Sequence, residues 1–498
     1  MRVAVTYPPF TKKGLYPLLS QNRQFRYTNT QVRIYPLIPS YAASQLKNAG
    51  HEVLWLDGIN ERLTWEEYNK QLKDFKPGLL MLETKAPIVQ SHWKFIDHVK
   101  KTTDWKITLV GDHVSFFPEE SFGKCSVDYV LTGGDYDVSV VQLADFLDGK
   151  GKLPAGTYYR ENGKVVNTGR FKLLENMDSL PFIDRELTKW NVYGEAYLYW
   201  PSAYVLSGRG CGVDEKRTGL CTFCIWQYAL WDRKARLRSA KHVVEEIKYL
   251  YDRYKIAEVF DDNESGGIWD KKWLHEFYTE MDRHKLIGRL RISTNARSDS
   301  LDDERCRLMK ETGFRLLKVG LESGSDDILR HICKDETVQQ IIDGVMTAKR
   351  YGLVVRVTTM VGYPWETEED VRKTYEVSKK LLSYKTHCGD SIQSSIVLAY
   401  PGTPMHKQAA GNNWLLCGAN DYESYDMSRP VIKTNINAAK WCTRIWKLHY
   451  RPVFMLKTLF SIRSWYDIDL ILRGVKSLLG HEKDFTKGKS GPGVAKNV

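Results

Sequence analysis

Along the first 150 residues, short apolar runs alternate with helical patterns. Arg2 to Tyr7, Glu52 to Leu56, Gly78 to Glu83, Lys106 to Val110 and Asp128 to Leu131 read as strands. Residues 40–49, 65–75, 90–102 and 137–148 read as helices. The strand runs are apolar throughout rather than at every second position, the pattern of a parallel sheet covered on both faces. Residues 1–150 therefore predict a doubly wound, Rossmann-like α/β domain. Ligands of such sheets lie beyond the carboxyl ends of the strands, which singles out Tyr7-Pro8-Pro9, Gly111-Asp112-His113 and Thr132-Gly133-Gly134-Asp135. Glycine there lets the backbone approach a ligand, although each loop taken alone is an ordinary turn.

Residues 151–195, with Asn162-Gly163 in a hairpin turn, read as a connecting segment. A second alternation follows, with strands near 203–208, 256–261, 289–294, 315–321, 353–361 and 391–398. Six βα units predict a partial TIM-type (β/α)6 barrel over 196–405, its site at the C-terminal ends of the strands. Residues 406–498 read as mostly helical. Their stretch 452–479 is amphipathic, with Met455, Leu459, Ile462 and Tyr466 at helical spacing. It is expected to pack against the barrel mouth, with contact to a membrane surface as the alternative. From Lys487 on the chain is Gly- and Lys-rich, a composition expected to be disordered.

A chain of 498 residues exceeds one hydrophobic core, and its 42% hydrophobic and 27% charged residues are ordinary for a globular protein. No apolar run is long enough to span a bilayer, and Met1-Arg-Val-Ala-Val-Thr-Tyr reads as a strand rather than a signal peptide, so a cytoplasmic address is expected. Nine cysteines, mostly scattered, fit a reducing compartment. Cys125, Cys306, Cys333, Cys388, Cys417 and Cys442 are expected in the core. The net charge of +12 is concentrated late, since residues 440–498 hold twelve Lys or Arg against four Asp or Glu. Such surface charge commonly serves solubility, and no nucleic-acid partner is expected.

Three cysteines remain, and they stand just after the first strand of the second series. Cys211, with the close pair Cys221 and Cys224 and no fourth cysteine nearby, can hold three irons of a four-iron cluster and leave the fourth open to chemistry. Structural zinc sites usually complete four ligands with a second Cys or His pair, and none follows here. Spacing alone leaves the two metals even.

The surroundings separate them. Phe223 precedes the last cysteine, and the chain also carries Val259-Phe260-Asp261-Asp262-Asn263, Val319-Gly320-Leu321-Glu322-Ser323-Gly324-Ser325 and Val361-Gly362-Tyr363-Pro364. With these, residues 1–405 resemble the radical S-adenosylmethionine (SAM) superfamily, in the class with an N-terminal cobalamin (B12)-binding domain. The common spacing there is C-x3-C-x2-C, whereas Gly212 to Leu220 separate the first two cysteines here. A longer loop still lets three thiolates converge, because loop length costs little.

The resemblance implies a [4Fe-4S] cluster on Cys211, Cys221 and Cys224, SAM on its open iron, and cobalamin between the doubly wound sheet and the barrel. It implies Phe223 on the adenine side, Asp261 or Asp262 at the SAM amino group or ribose, and Glu322 and Arg356 in polar contacts. The ordinary roles of those residues would be a solvated acid, a helix N-cap or a salt bridge. For cobalamin it points to the loops bearing Pro8, Gly111, Asp112, His113, Gly133 and Gly134. The signature D-x-H-x-x-G is absent, since Asp282-Arg-His284 reaches Gly288 one position late, so a lower histidine ligand is not expected.

The activity implied is methyl transfer to an unactivated carbon through a 5'-deoxyadenosyl radical and methylcobalamin. The alternative is an oxidative cyclase or rearrangement enzyme of lipid or tetrapyrrole type, whose tails the run Tyr450 to Leu479 resembles. A non-catalytic corrinoid or nucleic-acid binding module stands third and predicts that SAM stays intact. The enzyme readings imply a small-molecule, lipid-like or peptide substrate and an electron donor such as ferredoxin or flavodoxin.

Overall fold

The apolar runs become the inner strands of two sheets. In the computed structural model, which describes residues 1–10, 12, 15–20, 23–29, 32–211, 220–418 and 420–486, the first nine strands are β1 (Arg2–Tyr7), β2 (Tyr16–Ser20), β3 (Arg23–Thr28), β4 (Glu52–Asp57), β5 (Leu79–Glu83), β6 (Lys106–Val110), β7 (Tyr129–Leu131), β8 (Thr157–Glu161) and β9 (Lys164–Asn167). The first sheet runs β4-β1-β5-β6-β7-β8-β9 and is parallel as far as β7. Val3, Ala4, Leu80, Leu82, Ile107 and Leu109 are fully buried, as strands covered on both faces require. The helices Leu37–Asn48, Ala86–Lys100 and Tyr136–Leu147 supply that cover.

The segment after residue 150 prolongs this sheet. Asn162 and Gly163 both have positive φ (49° and 78°) and turn β8 into antiparallel β9, an Asn-Gly hairpin on the sheet edge. The hairpin of β2 and β3 was not foreseen from the pattern of the chain. It leaves the first sheet and reaches the second half of the protein. Arg23 pairs with Glu195 at 2.8 Å, Asp426 accepts from the Arg26 amide at 2.9 Å, and the Gln24 carbonyl accepts from the Met427 amide at 3.2 Å.

The remaining strands are β10 (Ser202–Val205), β11 (Gly208–Arg209), β12 (Arg236–Leu237), β13 (Glu258–Asp261), β14 (Arg291–Ala296), β15 (Phe314–Glu322), β16 (Val354–Val361) and β17 (Ser391–Ile396). The order β10-β13-β14-β15-β16-β17, parallel throughout, is the partial six-unit barrel predicted. Capping boxes begin its later helices, Thr337 with Gln340 and Thr367 with Asp370.

In the C-terminal region the helix Ala438–Trp446 lies on β17, where the Trp446 indole donates to the Ser394 carbonyl at 2.9 Å. The helix Trp465–Thr486 contacts the other end of the barrel, at the starts of its strands. There Arg473 donates to the Leu198 carbonyl at 2.8 Å and Tyr199 hydrogen-bonds Asp467. Packing of 452–479 against the barrel mouth is thus corrected, because the polar anchors of this stretch lie at the opposite end and much of its apolar surface faces outward. Of the six scattered cysteines, Cys125, Cys306, Cys388 and Cys442 are buried, whereas Cys333 and Cys417 are half-exposed and so depart from the core expectation. Among the described residues no helix is long and apolar enough to cross a membrane. Gly212 to Gly219, most of the unusual interval between the first two cysteines, and the stretch from Lys487 on lie outside the described residues.

Candidate functional site

The chain leaves β10 and pairs β11 with β12, so that Cys211 follows immediately at the C-terminal end of the barrel. Gly210 has φ of 90°, and a side chain there would strike the Lys234 carbonyl, so only glycine lets the loop lie this close to its neighbour. Asp261, the last residue of β13, accepts from the Ser207 amide and hydroxyl at 2.7 Å each and from Thr294 at 3.2 Å. Its carboxylate therefore staples three strands beneath the cysteine loop. Asp262 turns the other way, receives Asn295 at 3.3 Å, and is pushed up to about 6 by burial.

The Cys224 amide closes a tight turn on the Cys221 carbonyl at 3.0 Å, and Thr222 ties that turn to Ile332 and Met405. Phe223 is half-buried against the core. Burial pushes the Cys221 thiol up to about 11 and the Cys224 thiol up to about 12, and the three thiols oppose one another's ionisation. Lys334 and Arg297 pull Cys211 and Cys221 back toward the thiolate form that a metal needs. Among the described residues no three His, Cys, Asp or Glu side chains surround one point as the ligands of a single ion would. The fit of an iron–sulfur cluster rests on the three neighbouring thiols and their two cations.

Glu322 stands beside them at the end of β15. Its φ of 58° follows a shift in register between Gly320 and Glu322, a strained placement for a residue with a side chain. A methyl group on Gly320 would strike the Glu322 carboxylate, which turns back to Lys334 at 3.3 Å. The rest of that motif is architectural. Gly324 donates to Thr374 at 2.8 Å, and a Cβ there would lie 2.6 Å from the backbone of Lys373, so glycine sets how closely the helix Glu368–Ser383 docks.

The turn at Gly362-Tyr363 is held by Glu366, whose Oε2 accepts both backbone amides, at 2.6 and 3.3 Å, while Oε1 is buried without a partner. Burial raises this carboxyl from its ordinary 4.5 to about 8. A group raised by folding contributes its full stability below its unfolded pKa and loses it as pH rises through the folded one. Stability should therefore fall between pH 4.5 and about 8, and Glu366→Gln should flatten that fall, by ~1–3 kcal/mol at the alkaline end. Urea unfolding of both proteins across this range checks it, and parallel curves would refute it.

Arg356 does not join the site. It pairs in register with Lys318, four residues before Glu322 and hence ~13 Å down the strand. Its guanidinium bonds Ser391 at 3.1 Å and Gln393 at 3.0 Å inside the barrel.

A cleft lies between the carboxyl ends of the two sheets. Tyr7, Asp57, Asn60, Glu83, Lys85 and Tyr136 line it from the first domain, and Arg209, Trp231, Asp262 and Glu264 from the barrel. Leu18, Ile34 and Leu37 make one wall apolar, so the lining suits a large ring system with a polar fringe, such as a corrinoid. Glu264, pushed up to about 7 by burial, accepts from the Gly210 amide at 2.9 Å and from the Trp231 indole. The cleft thus reaches the residue next to Cys211.

The loop residues expected to meet cobalamin are placed differently. Pro8, Gly111, Asp112, His113, Gly133 and Gly134 do not line this cleft. Gly111 turns against the Thr84 carbonyl, and Asp112 pairs with Lys85 at 3.4 Å and Gln24 at 2.8 Å. His113 lies against Tyr422 and meets Glu120 at 3.2 Å. The rings of Phe171 and Trp231 close over Gly133 and Gly134. The sequence reading missed Asp57, Asn60, Glu83 and Lys85, although the strand-end rule that picked the other loops applies equally to Asp57-Gly58-Ile59-Asn60 after β4.

One clamp joins the halves. Arg209 donates to Asp135 at 2.7 Å and to Asp137 at 2.8 and 2.9 Å, all three side chains being buried.

Residues 205–377 match the Radical SAM superfamily model. The chain is 27% identical over 462 residues to an uncharacterized methyltransferase of Pyrococcus horikoshii, covering 89% of this chain and 93% of that one. It is 22% identical over 435 residues to the anaerobic magnesium-protoporphyrin IX monomethyl ester cyclase of Rubrivivax gelatinosus, covering 85% and 74%. Among solved structures, the radical SAM methyltransferase TsrM of Kitasatospora setae, with cobalamin and a [4Fe-4S] cluster bound, superimposes with a TM-score of 0.66 at 16% identity, covering 97% of this chain and 99% of that one.

Proposed function

We propose that this chain, a radical SAM enzyme with the fold of the cobalamin-dependent class, transfers a methyl group to an unactivated carbon of a small-molecule substrate. The observation that carries the reading is the cleft that runs from the strand-end loops of the first domain to Glu264 and Gly210 beside Cys211. It brings a place for a methyl carrier next to a place for radical generation. Bound there, the cluster and SAM would supply a 5'-deoxyadenosyl radical, and cobalamin would supply the methyl group.

Cys211, Cys221 and Cys224 would hold the cluster, with Lys334 and Arg297 favouring the thiolates of Cys211 and Cys221. Asp262, buried after β13, and Glu322, half-buried at the end of β15 two strands away, are the carboxylates we assign to SAM. Asp261 stays with the scaffold through Ser207 and Thr294. Trp231 and Tyr136, both buried, line the cleft with aromatic surface. A one-electron donor of the ferredoxin or flavodoxin class completes the system.

The test incubates the reduced, reconstituted protein and its candidate substrate with SAM labelled in the methyl group with deuterium. Label in the product is the expected result. An unlabelled product alongside 5'-deoxyadenosine would instead favour a cyclisation or rearrangement, the reading to which the Rubrivivax relative lends weight.

A further inference from the structure

Of sixteen large hydrophobic residues exposed among the described residues, eleven fall between Tyr450 and Val475. All but Tyr450 come from two consecutive helices, Pro452–Phe460 and the first turns of Trp465–Thr486. Phe460 is 79% exposed, Trp465 77% and Leu472 68%, values that a folded chain avoids for such side chains unless something covers them. The inward side of the same segment is well seated. Phe454 and Leu470 are buried, and Asp467 takes hydrogen bonds from Tyr199 and Ser464. This face is therefore a rigidly mounted surface.

Its charge says what covers it. From Lys447 to Lys476 the chain carries six Lys or Arg against two Asp. Of the two acids, Asp467 is buried and Asp469 is held by Arg473 at 2.7 Å. The exposed cations Lys457, Arg463 and Lys476 stand among the apolar side chains with no carboxylate of the segment left to answer them. A second copy of this chain related by a twofold axis would set that basic surface against itself. An anionic bilayer satisfies both components, taking the apolar side chains below the headgroups, Trp465 and Tyr466 at headgroup level, and the cations against phosphates.

We infer that the segment 450–476 docks the protein peripherally on an anionic phospholipid surface. The segment is anchored at the starts of the barrel strands, through Tyr199 and the Leu198 carbonyl. Docking there leaves the cleft at the opposite ends of the strands uncovered. The inference is independent of the reaction proposed above.

Flotation of the full-length chain with vesicles tests it. Mixed phosphatidylcholine–phosphatidylglycerol vesicles should carry the protein upward, and pure phosphatidylcholine or raised salt should reduce the bound fraction at least about tenfold. The double variant Phe460→Ser/Trp465→Ser should lose binding to a similar degree while keeping the wild-type melting temperature, since neither side chain contributes to the core. Lys457→Glu/Lys476→Glu should lose binding to the anionic vesicles with the apolar face intact. Failure of the wild type to float with anionic vesicles overturns the inference. So does a dimer in solution that the Phe460→Ser/Trp465→Ser variant disperses, because the face would then belong to a second copy.

Discussion

Cys221→Ala is expected to abolish iron incorporation and SAM cleavage together. Cys221 interacts with Cys211, Lys334, Arg297 and Glu322 and forms one turn with Cys224. With two thiolates left, a four-iron cluster retains too few protein ligands to survive. The control is Cys333→Ala. Cys333 is near enough to act on the Tyr228 hydroxyl alongside Cys221 and Cys224, yet it lies outside the ligand set, so its variant should keep full iron content and activity. Iron and sulfide analysis of the anaerobically reconstituted proteins decides it. A Cys221→Ala protein with the wild-type iron–sulfur absorbance would remove the basis for the site.

The second large effect is on stability. Arg209→Ala leaves Asp137 buried without a cation and Asp135 with Arg236 alone, and should cost ~3–5 kcal/mol. The loss should be recovered in good part by Arg209→Met combined with Asp137→Asn, which leaves Asp135 to Arg236, because the penalty comes from stranded charge rather than lost volume. Because Arg209 is two residues from Cys211 and spans the two halves, the single variant should also take up less iron. Urea unfolding of the apoproteins measures the first effect, and a loss below ~1 kcal/mol would show that Arg236, which also reaches Asp135, suffices alone.

The first sheet was legible because its parallel strands are buried on both faces and read as apolar runs, and the second because six strand-like runs alternate with helical stretches. The cysteine loop was legible because its position after β10 follows from barrel topology. Other features were hidden for physical reasons. Asp261 and Asp262 are adjacent, and consecutive positions at a strand end point to opposite sides, so only register tells which one serves the scaffold. Arg356 falls on the expected strand but one layer too deep, a distinction of four residues that no local pattern carries. The hairpin Tyr16–Ser20 and Arg23–Thr28 has arginines in its second strand whose partners, Glu195, Glu423 and Asp426, lie far away in sequence. The amphipathic period at 452–475 was visible, but a period does not say whether its apolar side meets protein.

That hairpin also limits how this architecture is recombined. Residues 1–150 look like an exchangeable module, yet Arg23, Gln24 and Arg26 lie within them and bind Glu195, Met427 and Asp426 outside them. A chimera that joins this first domain to the barrel of a relative would inherit arginines without their acids. Functional shuffling of the two halves therefore requires the hairpin to travel with the barrel it grips, as a graft whose seams fall on either side of β2 and β3.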